Sequence, residues 1–187
     1  MKKTSYLLLL AGLTVSVRTA QATTVIPPTF DELVAQAEVI FQGDVTDVKS
    51  QWVGEGAQRH IVSYVTFKVE DALKGTPGQS YTIRMLGGTV DGETMGVSDA
   101  PKFKVGDKDI LFVQNNGNQF VPLVGIMHGR FHVKRDQAGQ EVVSNDEDEP
   151  VKNVARLGRS EAADGPEANL TAADFKAAVK SKLQAPK

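Results

Sequence analysis

Two histidines four residues apart, His128 and His132 in the run His-Gly-Arg-Phe-His, are the nearest this chain comes to a reactive centre. On a strand that spacing puts both imidazoles on one face, where they could begin a metal site. The donor set is short, because His60 is the one other histidine and no His-Glu-x-x-His helix accompanies the pair. The competing reading is two ordinary histidines on the outside of a strand-rich body. The acidic run Asp146-Glu147-Asp148-Glu149 offers hard oxygen ligands, but it lacks the alternating pattern of a calcium loop and reads as a solvated stretch. No Gly-x-Ser-x-Gly elbow surrounds Ser63, Ser80, Ser98 or Ser144. The glycines at 87, 88, 92 and 96 follow neither phosphate-loop nor dinucleotide spacing. The 187 residues contain no cysteine, which removes thiol catalysis, disulfide exchange and cysteine-ligated zinc together. No catalytic group and no cofactor is implied.

Recognition by a surface is better supplied. Trp52 is the one tryptophan and stands beside Val53-Gly54-Glu55-Gly56, where an aromatic on a hairpin can meet a ligand or fold back onto the core. The long segment from Thr89 to Lys104 is poor in periodic apolar residues, and loops on a rigid scaffold usually carry recognition. Trp52, Met85, Thr89, Met95 and Lys102 are therefore the candidate ligand-binding residues.

The elements that must hold these residues are mostly strands. Thr29-Phe30-Asp31-Glu32 is a capping box that opens a short helix with Phe30, Leu33, Val34 and Ala37 at helical spacing. From Glu38 the period changes to two, and Val39 to Val48 reads as a long strand with one bulge or slip. Ile61 to Leu73 is a second strand rich in β-branched and aromatic residues, and Tyr81 to Met85 a third. Ile110 to Val113, Phe120 to Met127 and Phe131 to Lys134 are expected as three more, with a last ribbon at Glu141 to Val143. Asn115-Asn116-Gly117-Asn118 signals a hairpin turn, and 89–107 is expected as one substantial loop. Strands without intervening helices indicate an antiparallel barrel or sandwich, and five or six of them with a long bent first strand suit a small, partly open barrel of the OB type. Residues 145–170 have linker composition. Beyond them Phe175, Val179 and Leu183 form an apolar stripe on a final helix, which needs either its own body or another protein to cover it.

The strand sequences carry a resemblance. The order "AQAEVIFQGDVTDV", "VTFKVEDALKG", "YTIRM", "VGDKDILFV", "GIMHGRFHV" resembles the core of netrin-like modules and tissue inhibitors of metalloproteinases, which are OB-fold proteins. The chain is more similar still to exported bacterial proteins of uncharacterised function, through Lys74-Gly75, Gly87-Gly88 and the Pro101-x-Phe103-x-x-Gly106 motif. The resemblance spans roughly residues 29 to 134 and implies a fold. The inhibitors act through an N-terminal cysteine held by disulfides, which this cysteine-free chain does not have. An inhibitor-like reading would instead use the arm Thr23, Thr24 and Val25, whose free amine can donate to zinc when deprotonated.

Lys2 and Lys3, the apolar run Leu7 to Leu13 and Ala20-Gln21-Ala22 read as a secretory signal peptide cleaved after Ala22. Lys2, Lys3 and Arg18 leave with it, so 18 of the 21 basic residues remain against 23 acidic ones, a charge of about −5. That disfavours nucleic acid and lipid headgroups as partners, and the apolar run is too short for a stable membrane span. The expected organisation is a signal peptide at 1–22, an OB-like, netrin-like β-barrel domain at 23–144, an acidic flexible linker at 145–170 and a C-terminal amphipathic helix at 171–187. The expected function is a non-enzymatic binding module, periplasmic or secreted, with a protein partner. The alternative is a metallopeptidase inhibitor acting on a secreted peptidase through Thr23, Thr24 and Val25, and third comes a metal-dependent enzyme using His128 and His132.

Overall fold

The computed structural model describes residues 27–98, 100–159 and 168–185. The expected signal peptide and the arm residues Thr23, Thr24 and Val25 lie outside the described residues. The fold is mainly β, with antiparallel pairing throughout. The strands are β1 Val39–Val53, β2 His60–Lys74, β3 Ser80–Leu86, β4 Gly88–Val90, β5 Glu93–Met95, β6 Lys108–Val113, β7 Arg130–Arg135 and β8 Glu141–Ser144, and the helices are α1 Phe30–Gln36 and α2 Ala172–Gln184. Six strands form one sheet in the order β3-β2-β1-β6-β7-β8, while β4 and β5 form a separate hairpin.

The long first strand organises the sheet. It pairs with β2 from Ile40 to Val53 and with β6 over Val39 to Asp44. Three register shifts against β2, at Ile40/Phe41, Gln42/Gly43 and Val45/Asp47, bend it where a single slip was expected. Bulges add twist and curvature to the strand that carries them. Gly43 permits the tightest point, since a Cβ there would stand 2.6 Å from the Lys68 carbonyl oxygen.

Strict alternation divides the core into two clusters. Ile40, Ile110, Phe112, Phe131, Val133 and Val143 point to one face, where α1 and α2 cover them. Phe41, Val65, Phe67, Ile83, Leu111 and Val113 point to the other and form the inner side of the curled sheet. The run Ile110-Leu111-Phe112-Val113 is unbroken because β6 is buried on both faces. The chain's own body covers Phe175 and Val179 of the C-terminal stripe, while Leu183 stays exposed. Phe175 and Val179 are fully buried, and the Phe175 ring meets Phe131 at 4.9 Å, Phe30 at 6.0 Å and Phe112 at 6.2 Å. Lys182 pairs with Asp31 at 2.6 Å and Lys176 with Asp71 at 3.1 Å. At the other helix the capping box forms as expected, with Glu32 accepting from the Thr29 amide at 2.8 Å.

Among the described residues the sheet has edges rather than a closed ladder, so no closed barrel forms. Both edges are nonetheless covered. At β3 the side-chain amide of Asn116 accepts from the Arg84 N–H at 3.0 Å and donates to the Thr82 carbonyl at 2.8 Å, while the Leu86 N–H donates to the Phe120 carbonyl at 2.7 Å. The expected strand from Phe120 to Met127 does not form: Pro122 has no N–H to give a ladder, one isolated bridge joins Leu123 to Val113, and the segment turns through Gly125 and Ile126. At β8 the Val151 N–H donates to Val143 and the Val143 N–H donates to Leu170. Residues 145–159 therefore depart from the expected flexible linker. Val151 is buried among the helix-side cluster, and the 3-10 turn Val154–Arg156 packs beside α1.

Replacing Phe175 with alanine removes the ring that three other phenylalanines surround. Phe175→Ala is expected to lower the unfolding free energy by about 3–5 kcal/mol in a urea titration. A loss below about 1 kcal/mol would mean that α2 is not part of this core.

Candidate functional site

The inner cluster opens at one end into a groove of about 930 Å³. Val65, Met85 and Phe103 form its apolar floor, the β4–β5 hairpin and Gly87-Gly88 one wall, and residues 96–98 and 100–102 the other. Four of the five candidate ligand-binding residues, Met85, Thr89, Met95 and Lys102, line this groove. Trp52 does not. Its ring lies against the Arg59 guanidinium, 4.0 Å from the centroid, at the far end of β1 opposite Ile61. The aromatic expected at the recognition surface is thus engaged by a neighbouring cation.

The hairpin is an element that sequence reasoning missed inside the expected loop. Val90-Asp91-Gly92-Glu93 carries the signal, because Asp-Gly between short extended runs favours a two-residue turn with positive φ at both positions. Asp91 has φ 51° and Gly92 φ 84°. The hairpin is seated on β2 by two bonds at its base, from the Gly87 N–H to the Ile61 carbonyl at 2.8 Å and from the Ile61 N–H to the Met95 thioether at 3.2 Å. Beneath it the Ser50 and Ser63 hydroxyls meet at 2.8 Å, and Ser63 donates to the Gly87 carbonyl at 2.6 Å. Gly88 lies over that pair at φ 140°. A Cβ there would come within 2.4 Å of both hydroxyl oxygens, so glycine alone permits this approach.

The opposite wall is fixed by a buried cation. Arg130 is 3% exposed and Asp109 is fully buried, yet both are paired. The guanidinium donates to the Asp109 carboxylate through Nε at 3.1 Å and Nη2 at 3.0 Å, to Asp107 through Nη2 at 2.9 Å, and to the Lys102 carbonyl through Nη1 at 2.8 Å. It also lies 4.0 Å from the centroid of the Phe103 ring, whose edge meets Phe67 at 5.5 Å. The Pro101-x-Phe103-x-x-Gly106 motif is thereby a clamped loop: Arg130 holds its carbonyl, its ring and its following carboxylate at once. The signal available in the sequence was a charge within each of two apolar strand runs, Lys-Asp-Ile-Leu-Phe-Val and Gly-Arg-Phe-His-Val. Such charges are rarely buried unless paired.

The two histidines do not share a strand face. His132 stands on β7 opposite Asp109 and shares a hydrogen bond with its carboxylate through Nδ1 at 2.9 Å. His128 lies in the turn before β7, where partial burial holds its pKa below the ordinary histidine value against the opposing pull of Glu147 and Asp146. Burial likewise raises the Asp146 carboxyl, which Arg130 and His132 partly offset. His60 is occupied by the Gln58 carbonyl at 2.8 Å. Among the described residues no group of three or more histidines and carboxylates is arranged to hold a metal ion. The described residues also contain no helix long and apolar enough to cross a membrane.

Removing the cation should cost more than removing the pair. Arg130→Met leaves the Asp109 carboxylate buried with His132 as its remaining side-chain partner, and is expected to destabilise the fold by about 3–5 kcal/mol. The double variant Arg130→Met with Asp109→Leu is expected to regain most of that loss in urea unfolding. Equal destabilisation by the single and double variants would show that the pair does not act as a unit.

Against this arrangement, no known family model matches the chain, and no curated protein matches it.

Proposed function

We propose that this chain is an exported, non-enzymatic binding module that receives a partner protein in the groove between the β4–β5 hairpin and the clamped 101–107 loop. The observation that carries the reading is the convergence of Met85, Thr89, Met95 and Lys102 on one groove whose two walls are held from below. Its size suits a ligand site, which is typically a largely preformed cleft of about 300–1,000 Å³ with an apolar lining and a few polar groups. Two methionines in the lining supply surface that adapts to a partner's shape. We read the curled sheet as a barrel of the OB type and netrin-like kind. The support is a β1-β2-β3 meander, with β6 on the other side of a long bent first strand and β7 beyond it. The N-terminal pattern directs the module to the periplasm or beyond the cell.

A photo-crosslinking residue at Thr89, on the groove rim, tests the reading in cells that export the protein, with Gln137 in the exposed β7–β8 turn as the comparison position. A discrete adduct is expected from position 89 and none from position 137, with loss of the adduct when Ser98→Trp fills the groove. Equal adducts at both positions, or none from position 89, would reject the groove as the binding site.

A further inference from the structure

The hairpin offers an open strand edge beside the groove. Both edges of the six-stranded sheet are covered, β3 by Asn116 and Phe120 and β8 by residues 151 and 170. The hairpin's second strand is paired on one side, with β4, and among the described residues no other strand lies along its second edge. Glu93, Thr94 and Met95 are all exposed. With a two-residue turn at Asp91-Gly92, Val90 and Glu93 form the hydrogen-bonded pair and Thr89 and Thr94 the next, non-bonded pair. The Thr94 N–H and C=O therefore point away from β4, toward the open edge.

The same residues border the groove. Thr94, Met95 and Gly96 line it on this side and Lys102 on the other. Lys102 is the one charged side chain among the described lining residues. It is exposed, and it has no hydrogen-bond or ion-pair partner among the described residues, while its own carbonyl is held by Arg130. Lys102, without a partner among the described residues, thus stands on a fixed backbone at the border of a groove floored by Val65, Met85 and Phe103. The hairpin tip carries the opposite charge, in Asp91 and Glu93.

Resting on the groove as the binding site, we propose that the partner contributes an extended segment that adds as a third strand beside β5, with an apolar side chain on the floor and an acidic side chain at Lys102. Main-chain bonds to Thr94 supply affinity, and alternate side chains entering the groove supply selectivity. The charges set the direction, because Asp91 and Glu93 repel an acidic residue from the tip and Lys102 accepts it at the base. A free amphiphile with one carboxylate would satisfy Lys102 and the floor but leave the Thr94 edge open.

The test pans a random octapeptide display library against the full exported chain and then measures the selected peptides by fluorescence anisotropy. Selected peptides are expected to share an acidic residue near an apolar one, and Lys102→Glu is expected to weaken them by about tenfold or more. At saturating peptide the Thr94 amide is expected to gain protection from hydrogen exchange, a readout that needs no variant at the hairpin. Thr94→Pro, confirmed folded by circular dichroism, is expected to abolish binding. Dodecanoate is the comparison probe and is expected to leave Thr94 exchange unchanged. Peptides without an acidic residue, binding indifferent to Lys102→Glu, an unprotected Thr94 amide or an empty selection would each overturn strand addition. A crosslink from position 89 combined with an unprotected Thr94 would reject strand addition while leaving the groove as the binding site. Absence of that crosslink would reject the groove itself.

Discussion

A guanidinium and a carboxylate that water does not reach hold the groove end of this molecule together. Arg130 and Asp109 sit on neighbouring strands at the end of the inner cluster. Desolvating two charges is expensive, and their attraction repays that cost only where the remaining donors and acceptors are also satisfied. Here they are. Asp109 receives Arg130 on one oxygen and meets His132 at the other, and Arg130 spends its further donors on Lys102 and Asp107. Those last two bonds tie a loop that has no regular structure to the centre of a sheet. The groove exists because that loop has one position.

A second device stands on the opposite wall and works by different means. The hairpin is placed by close packing of small groups: glycine over two serine hydroxyls, and a thioether taking the N–H that β2 leaves free where its ladder with β3 ends. One wall is thus fixed by charge and the other by shape and weak acceptors. The Met95 sulfur is a weak acceptor compared with a carbonyl, so the hairpin side is the more readily displaced of the two walls. A partner strand beside β5 would meet the more yielding wall.

Sequence periodicity made the main elements legible because each obeys a local rule. The Thr29 capping box, the alternation in β2 and the stripe on α2 are written within a few residues of one another. Thr89, Met95 and Lys102 stand out for another reason: they lie in a non-periodic stretch of a strand-rich chain, and the fold gathers them with Met85 on one groove. What escaped was decided at a distance. Phe120 to Val124 has strand composition, but Pro122 and the need to cover β3 turn it into a wrapping segment. Acidic composition at 146–149 suggested solvent, while Val151 just beyond it is drawn into the helix-side core. His128 and His132 have the spacing of neighbours on a strand, yet the strand begins at Arg130, between them. Trp52 was read as a ligand contact, and a nearby arginine takes its face.

The length of the first strand governs how this chain can come apart. Ile40 belongs to the helix-side cluster and Phe41, its neighbour, to the inner one, so a single stretch of backbone is rooted in both. Neither half can loosen without dragging the other, which makes opening a collective event rather than a regional one. For a protein with no cysteine this substitutes for a disulfide: a peptidase finds few internal segments that detach on their own. The β4–β5 hairpin, which lies outside the six-stranded ladder, is the exception, and it coincides with the edge we propose for recognition.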